Sequence, residues 1–169
     1  MHFDGSEQYQ GSGAGVTLKS PTEEELRYIL QIHFNATNNT VEYEALLHGL
    51  RIAKEIGIKH IICCGDSDLV AQQVAGTWNA RNSVMAAYED EVDEMAKCFL
   101  RYEVKYVRRD DNTTADMLSK LGSGRKPILM GICPRGCVTS LTHHEEGGPG
   151  RVPVGTGDWA PKALVRLGP

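Results

Sequence analysis

The chain has 169 residues, 41% hydrophobic and 24% charged, enough for one ordinary domain with a real core or for a smaller domain with a tail. No apolar run approaches the roughly 20 residues that span a bilayer, and Met1-His2-Phe3-Asp4 has neither a basic nor an apolar leader, so an intracellular protein outside the membrane is expected. A net charge of -4 argues against a nucleic-acid binder that relies on overall attraction to phosphate, though not against one that neutralises a carboxylate cluster with metal ions.

In chain order, the first strand is the few residues before and at Asp4. Val16 to Lys19, reached through the glycines of the segment 11–15, reads as its antiparallel partner, with a turn at Ser20-Pro21-Thr22. Leu26, Tyr28, Leu30, Ile32 and Phe34 alternate with mostly polar neighbours, the period of a half-buried strand. From Thr40 the period turns helical: Tyr43, Leu46, Leu47, Leu50 and Ala53 share a face, and Gly57 supplies a stop. Lys59 to Cys64 is a short apolar strand closed by Gly65-Asp66-Ser67, followed by a helix through Leu69, Val70 and Val74. Ser83 can cap a longer helix with Val84, Tyr88, Val92, Met95 and Phe99 on its apolar face. Tyr102, Val104 and Tyr106 form a fifth strand, and Ala115, Leu118 and Leu121 lie on one face of a last helix ending at Gly122. The order β-β-β-α-β-α-α-β-α implies an α/β fold with a mixed five-stranded sheet flanked by helices.

Composition breaks near residue 122, beyond which lie six of the seven prolines and nine of the eighteen glycines. Residues 1–126 are therefore expected to fold, and 127–169 to form a Gly/Pro-rich disordered tail. The five cysteines, Cys63, Cys64, Cys98, Cys133 and Cys137, are odd in number and read as reduced thiols. Cys133 and Cys137 with His143 and His144 match no common zinc spacing.

Four acids sit where this order can bring them together: Asp4 on the first strand, Glu42 in the first turn of the first helix, Asp66 at the end of the fourth strand and Asp116 in the last helix. Each has an ordinary structural role open to it. Asp4-Gly5 is a turn signal, and Glu42 three residues after Asn39 fits a capping box. Asp66 precedes a helix N-terminus, and Asp116 can pair with Lys120. Together they point elsewhere, because four like charges at one end of a sheet repel strongly unless cations sit among them, and carboxylate oxygens select magnesium or manganese.

Four blocks, Phe3 to Ser6 (FDGS), Thr37 to Leu50 (TNNTVEYEALLHGL), Gly65 to Val70 (GDSDLV) and Arg108 to Ser123 (RRDDNTTADMLSKLGS), resemble the signatures of type I ribonuclease H, in the form found in plant LTR (gypsy-like) retroelement polyproteins. The resemblance implies a nuclease that cuts the RNA strand of an RNA/DNA hybrid, with Asp4, Glu42, Asp66 and Asp116 holding two Mg2+ or Mn2+ ions. Glu44 is the rival of Glu42. It further implies substrate contacts at Ser6, Thr37, Asn38, Asn39, Gln72 and Arg109, and a reverse transcriptase domain as partner in the parent polyprotein.

The chain departs from that family in three ways. The loop 107–112 has no histidine, the segment 76–83 has Arg81 as its one basic residue, and few residues precede Asp4 on what should be a central strand. A catalytically silent retroelement remnant with weak hybrid binding is thus a second reading. A strand-transfer enzyme of the integrase kind is a third, and the acid on the first helix speaks against it.

Overall fold

A computed structural model describes residues 1–68, 70, 72 and 83–124, together with the backbone of 138–143. The elements are β1 (His2–Gln8), β2 (Gly11–Lys19), β3 (Glu25–Ile32), α1 (Asn38–Glu55), β4 (His60–Gly65), α2 (Ser83–Ala96), β5 (Arg101–Tyr106), a single 3-10 turn (Arg109–Asp111), α3 (Thr113–Ser123) and β6 (Val138–His143). Asp68, Val70 and Gln72 have helical backbone. The rest of the helix expected through Leu69 and Val74, most of the 76–83 segment, and Cys133, Cys137 and His144 lie outside the described residues.

The sheet is mixed, in the order β5-β4-β1-β2-β3-β6. β1, β2 and β3 form the expected antiparallel meander, while β4 runs parallel to both β1 and β5. The five-stranded α/β fold expected from the sequence is present, with a sixth strand at its edge. That strand falls in the stretch expected to be a structureless tail. Val138–His143 pairs in parallel with Arg27–Ile32, where the open edge of β3 offers a row of unsatisfied backbone groups to a β-branched segment. Among the described residues no helix is long and apolar enough to cross a membrane.

β1 and β2 are both longer than expected. β1 runs past Asp4 to Gln8, and its seven residues pair with Gly11 to Thr17. The glycines read as a lead-in to β2 are therefore its first half. They face α3, and a Cβ on Gly15 would sit 2.3 Å from Ala115 O, while one on Gly13 would sit 2.2 Å from Ser123 N. Only a bare backbone admits a helix this close to a strand. Of the face expected on α3, Ala115 and Leu118 are buried and Leu121 is not. The buried face is completed by Ser119, Gly122 and Ser123 in place of Leu121, because the bare glycines of β2 bring α3 close enough for small residues to fill the contact.

On the other face of the sheet, α1 lays Tyr43, Leu46, Leu47, Leu50 and Ala53 against Phe3, Ala14, Val16, Leu18, Leu30 and Ile32. Alternate residues of β1 and β2 thus face different helices, which is why both faces are buried. The α1 helix starts at Asn38, two residues ahead of the expected position, and its cap is Thr37, whose hydroxyl accepts from Thr40 N at 3.3 Å. Asn39 is not the cap, and Glu42 lies beyond the first turn. At the other end Ile58 N donates to Ala53 O at 2.9 Å and Gly57 N to Lys54 O at 3.1 Å, closing the helix at the expected glycine. α2 packs on α1 through Met85, Tyr88 and Val92. Met85 takes the place expected of Val84, since 85, 88 and 92 keep one helical face and residue 84 is turned a step away from it. Tyr43 stacks on Tyr88 with ring centroids 5.5 Å apart.

Gly15→Val should lower stability by about 1–3 kcal/mol or more, because the clash is with backbone that cannot rotate away. The denaturation midpoint checks this, and an unchanged midpoint would mean that α3 does not rest on β2.

Candidate active site

Three elements converge on one point. β1 and β4 run parallel with His2 beside Cys64, so two residues further on Asp4 lies level with Asp66. Ligands of open α/β sheets bind at such carboxyl ends of parallel strands. The start of α1 passes directly over Gly5, where a Cβ would lie 2.6 Å from Glu42 N. The glycine of the FDG triplet thus lets Glu42 reach the same place. One carboxylate oxygen from each of Asp4, Glu42 and Asp66 falls within 4.8 Å of the others. Asp4 and Glu42 are buried, at 2% and 4% exposure, and Asp66 is half-buried.

The fourth expected acid is held apart from these three. Asp116 accepts from Arg109 Nη2 at 2.9 Å and from Lys120 Nζ at 2.6 Å. Arg109 also reaches toward Asp66, with Nε 4.0 Å from Oδ2. Glu44, the rival of Glu42, points elsewhere: it accepts from the Tyr88 hydroxyl at 2.6 Å and lies 3.4 Å from His48 Nε2. Two positions along a helix are about 200° apart, so one of the two acids faces the strands and the other faces α2.

Thr37, Asn38 and Asn39 are exposed at the entry to α1. Ser6 is half-buried and accepts from the Ser123 hydroxyl at 3.4 Å. Gln72 donates to Asp68 at 2.7 Å, and Arg109 is largely exposed.

Two residues that the sequence did not single out complete the cluster. Asn112, 1% exposed, donates to Phe3 O at 2.9 Å and to Asp66 Oδ1 at 3.2 Å, and its Oδ1 lies 3.2 Å from His2 Nδ1. It occupies the N-cap position of α3 yet makes no side-chain cap bond, so its amide serves the Phe3 carbonyl and the Asp66 carboxylate instead. Ser119 is fully buried, with its hydroxyl on the Asp4 carboxylate. Its sequence signal is the run of small residues Ala115, Ser119 and Gly122 along one helical face.

Burial pushes the Asp4 carboxyl up to about 7, aided by the neighbouring Asp66 and Asp116 and opposed by the Ser119 bond. Burial pushes Glu42 up to about 9, with Asp4 and Asp66 adding to it and a bond from the Gly5 backbone opposing it. Asp116 goes the other way: its partial burial favours the neutral form, but Lys120 and Arg109 outweigh that and hold its carboxyl below the ordinary range. Glu42 Oε2 is buried with no hydrogen-bond partner. Oxygen-only donors, an orphaned carboxylate oxygen and protons retained near neutrality together fit a hard divalent cation.

Raised carboxyl pKa values have a definite sign. Between the ordinary values of 3.8 and 4.5 and the raised values of about 7 and about 9, the folded chain holds protons that the unfolded chain releases. Stability therefore falls as pH rises through that window. Without metal, the melting temperature should decline from about pH 5 to about pH 9, and Glu42→Gln should flatten the decline. A flat wild-type profile would mean that the two carboxyls ionise freely.

Residues 2–122 match the reverse transcriptase-like family. The chain is 33% identical over 84 residues to a ribonuclease HI of Halobacterium salinarum, a stretch that is 50% of this chain and 42% of that protein. It thus spans less than half of that relative's length. The crystal structure of RNase H1 from the halophilic archaeon Halobacterium salinarum NRC-1 is similar, with a TM-score of 0.67 at 27% identity over 74% of this chain and 96% of the other. The N-terminal RNase H domain of Rv2228c from Mycobacterium tuberculosis gives 0.64 at 26% identity, over 72% and 90%. LC11-RNase H1, solved in complex with an RNA/DNA hybrid, shares the fold at 0.64 and 19% identity, over 73% and 95%. The family match covers every described element from β1 to α3, so the chain belongs to the reverse transcriptase-like family and carries its ribonuclease H-like fold.

Proposed function

We propose that this chain is a metal-dependent endonuclease that hydrolyses the RNA strand of an RNA/DNA hybrid. The observation that carries this reading is the cluster of Asp4, Glu42 and Asp66, where β1 passes the carboxyl end of β4 in a ribonuclease H-like fold. Relatives named as ribonucleases H support it, one of them solved with a hybrid.

On this reading Asp4, Glu42 and Asp66, with Asp116 beside them, would hold two Mg2+ or Mn2+ ions. When bound, such ions lower the pKa of an attacking water and stabilise the leaving oxygen of a phosphodiester. The chain's own residues prepare the place. Asn112 and Ser119 fix the Asp66 and Asp4 carboxylates in orientation, as outer hydrogen bonds do around metal sites. Gly5 brings Glu42 to the cluster, and burial of Asp4 and Glu42 excludes water from it. Thr37, Asn38 and Asn39, exposed beside Glu42, offer hydroxyl and amide groups to the 2' hydroxyls and base edges of a wide minor groove. Ser6, Gln72 and Arg109 are further substrate contacts in this proposal, Arg109 through phosphate.

The proposal extends to setting and boundaries. The TNNTVEYEALL and GDSDLV blocks support a plant LTR-retroelement origin and a tethered reverse transcriptase that raises the effective concentration of substrate. Residues 1–126 are taken as the folding unit. A chain ending at residue 126 should still melt cooperatively, since β6 adds an edge to a sheet already packed on both faces. Loss of the melt would make β6 integral.

The purified chain should cleave the RNA of a labelled hybrid in Mg2+ or Mn2+ and not in Ca2+. Asp66→Asn and Glu42→Gln should each lower the rate by more than roughly 100-fold, and Asn112→Ala by about 10–100-fold. Glu44→Gln should do far less. A well-folded wild type with no cleavage at any Mn2+ concentration would overturn the enzyme reading in favour of a silent hybrid-binding remnant.

A further inference from the structure

Asp116 is held by two cations, Lys120 and Arg109. Lys120 comes from one turn further along α3 and is 49% exposed on its side chain. Arg109 comes from the 3-10 turn before α3 and is 70% exposed, while the Asp116 side chain is 14% exposed. A carboxylate with so little access has both oxygens occupied, Oδ1 by Arg109 and Oδ2 by Lys120. An oxygen so held is a poor ligand for a divalent cation, since two positive charges stand where the ion would approach. Long side chains held at one end by an exposed ion pair swing away readily when another anion is offered.

The nearest anion in the proposed reaction is a phosphate of the nucleic-acid backbone. Arg109 already spans from Asp116 toward Asp66, one of the three clustered acids, so it stands at the rim of that cluster, with Lys120 on the other oxygen of Asp116. We propose that Lys120, acting with Arg109, is a positioning residue that exchanges Asp116 for a substrate phosphate. In the free protein the two cations hold Asp116 out of ion binding, and the three-acid cluster is the first place a divalent cation enters. With hybrid bound they move onto the phosphate backbone, and Asp116 is released to take part in holding a second ion. Substrate and second ion thereby favour each other, since each gains from the displacement the other needs. This inference rests on the hybrid-nuclease reading above.

Two measurements on the full chain test the exchange, and they should move in opposite directions. In the first, Mn2+ is titrated calorimetrically into the free protein. Lys120→Gln should tighten the second-ion binding, or make it visible, by roughly fivefold or more. In the second, a fluorescent RNA/DNA hybrid is bound in EDTA across a salt series, where no cleavage occurs. Lys120→Gln should weaken binding and reduce the slope of log affinity against log salt by about one, the signature of one lost phosphate contact. Lys120→Arg should restore both properties, which a merely structural role would not require. If Lys120→Gln leaves Mn2+ binding unchanged, the ion pair does not guard Asp116 and the proposal fails. Tighter Mn2+ binding with an unchanged salt slope also overturns it, since the lysine would then shield Asp116 without meeting phosphate. A wild type that takes up Mn2+ but binds no hybrid at low salt overturns the substrate reading itself, a result distinct from either failure of the exchange.

Discussion

Carboxylates repel, and this fold forces three of them together where water is scarce. Asp4 and Glu42 are buried, Asp66 is half-buried, and one oxygen of each lies within 4.8 Å of the others. Like charges at that separation cannot all stay ionised at neutral pH without a compensating cation. Protons do that work in the metal-free chain, which is why the Asp4 and Glu42 carboxyls titrate far above their ordinary range. An unfavourable arrangement of this kind persists only if the surrounding structure imposes it. It is imposed from three sides: by the parallel register of β1 and β4, by the pressure of α1 on Gly5, and by the buried amide and hydroxyl of Asn112 and Ser119.

The two close approaches of helix to strand are what make the arrangement rigid. On one face α1 crosses Gly5 at a distance no side chain would tolerate, and on the other α3 rests on Gly13 and Gly15. Each contact removes freedom from an element that carries part of the cluster. A few ångströms of looseness at α1 would withdraw Glu42, and the same at α3 would separate Ser119 from Asp4. The apolar side chains between α1 and the sheet supply the burial energy that holds these contacts closed.

Asp116 differs from the other three acids in the company it keeps. Asp4 and Glu42 are raised by burial and by neighbouring acids, whereas Asp116 is lowered by Lys120 and Arg109. One site therefore contains carboxylates of two kinds, some wanting a cation and one already supplied. On the proposed function that asymmetry sets an order of events, in which the cluster of three is ready for an ion before substrate arrives and the fourth acid waits.

Much of this was legible in the residues alone, where periodicity and chemistry are local. Alternation from Leu26 to Phe34 marked β3, which ends at Ile32, the helical face from Tyr43 to Ala53 marked α1, and the element order named Asp4, Glu42 and Asp66 as acids that could meet, although Asp4 lies inside β1 and Glu42 beyond the first turn of α1. The preference for Glu42 over Glu44 came from its spacing after the TNN block in the resemblance, since both acids lie in one helical stretch; packing puts Glu42 beside Asp4 and Asp66 and Glu44 against Tyr88. The ordinary role of Asn39 as a cap, the place of Leu121 on α3 and the start of α2's buried stripe differ from expectation for one reason. Each depends on what lies opposite in space. Leu121 looks like a core residue until α3 is seen pressed on a glycine-bearing strand, and β6 has no meaning apart from the open edge of β3. The roles of Asn112 and Ser119 were invisible for the same cause, since a buried hydrogen bond joins residues 46 or 115 positions apart. The sequence determined which groups are present and which elements carry them; the tertiary structure decided which of them meet, because meeting is fixed by packing distance and not by spacing along the chain.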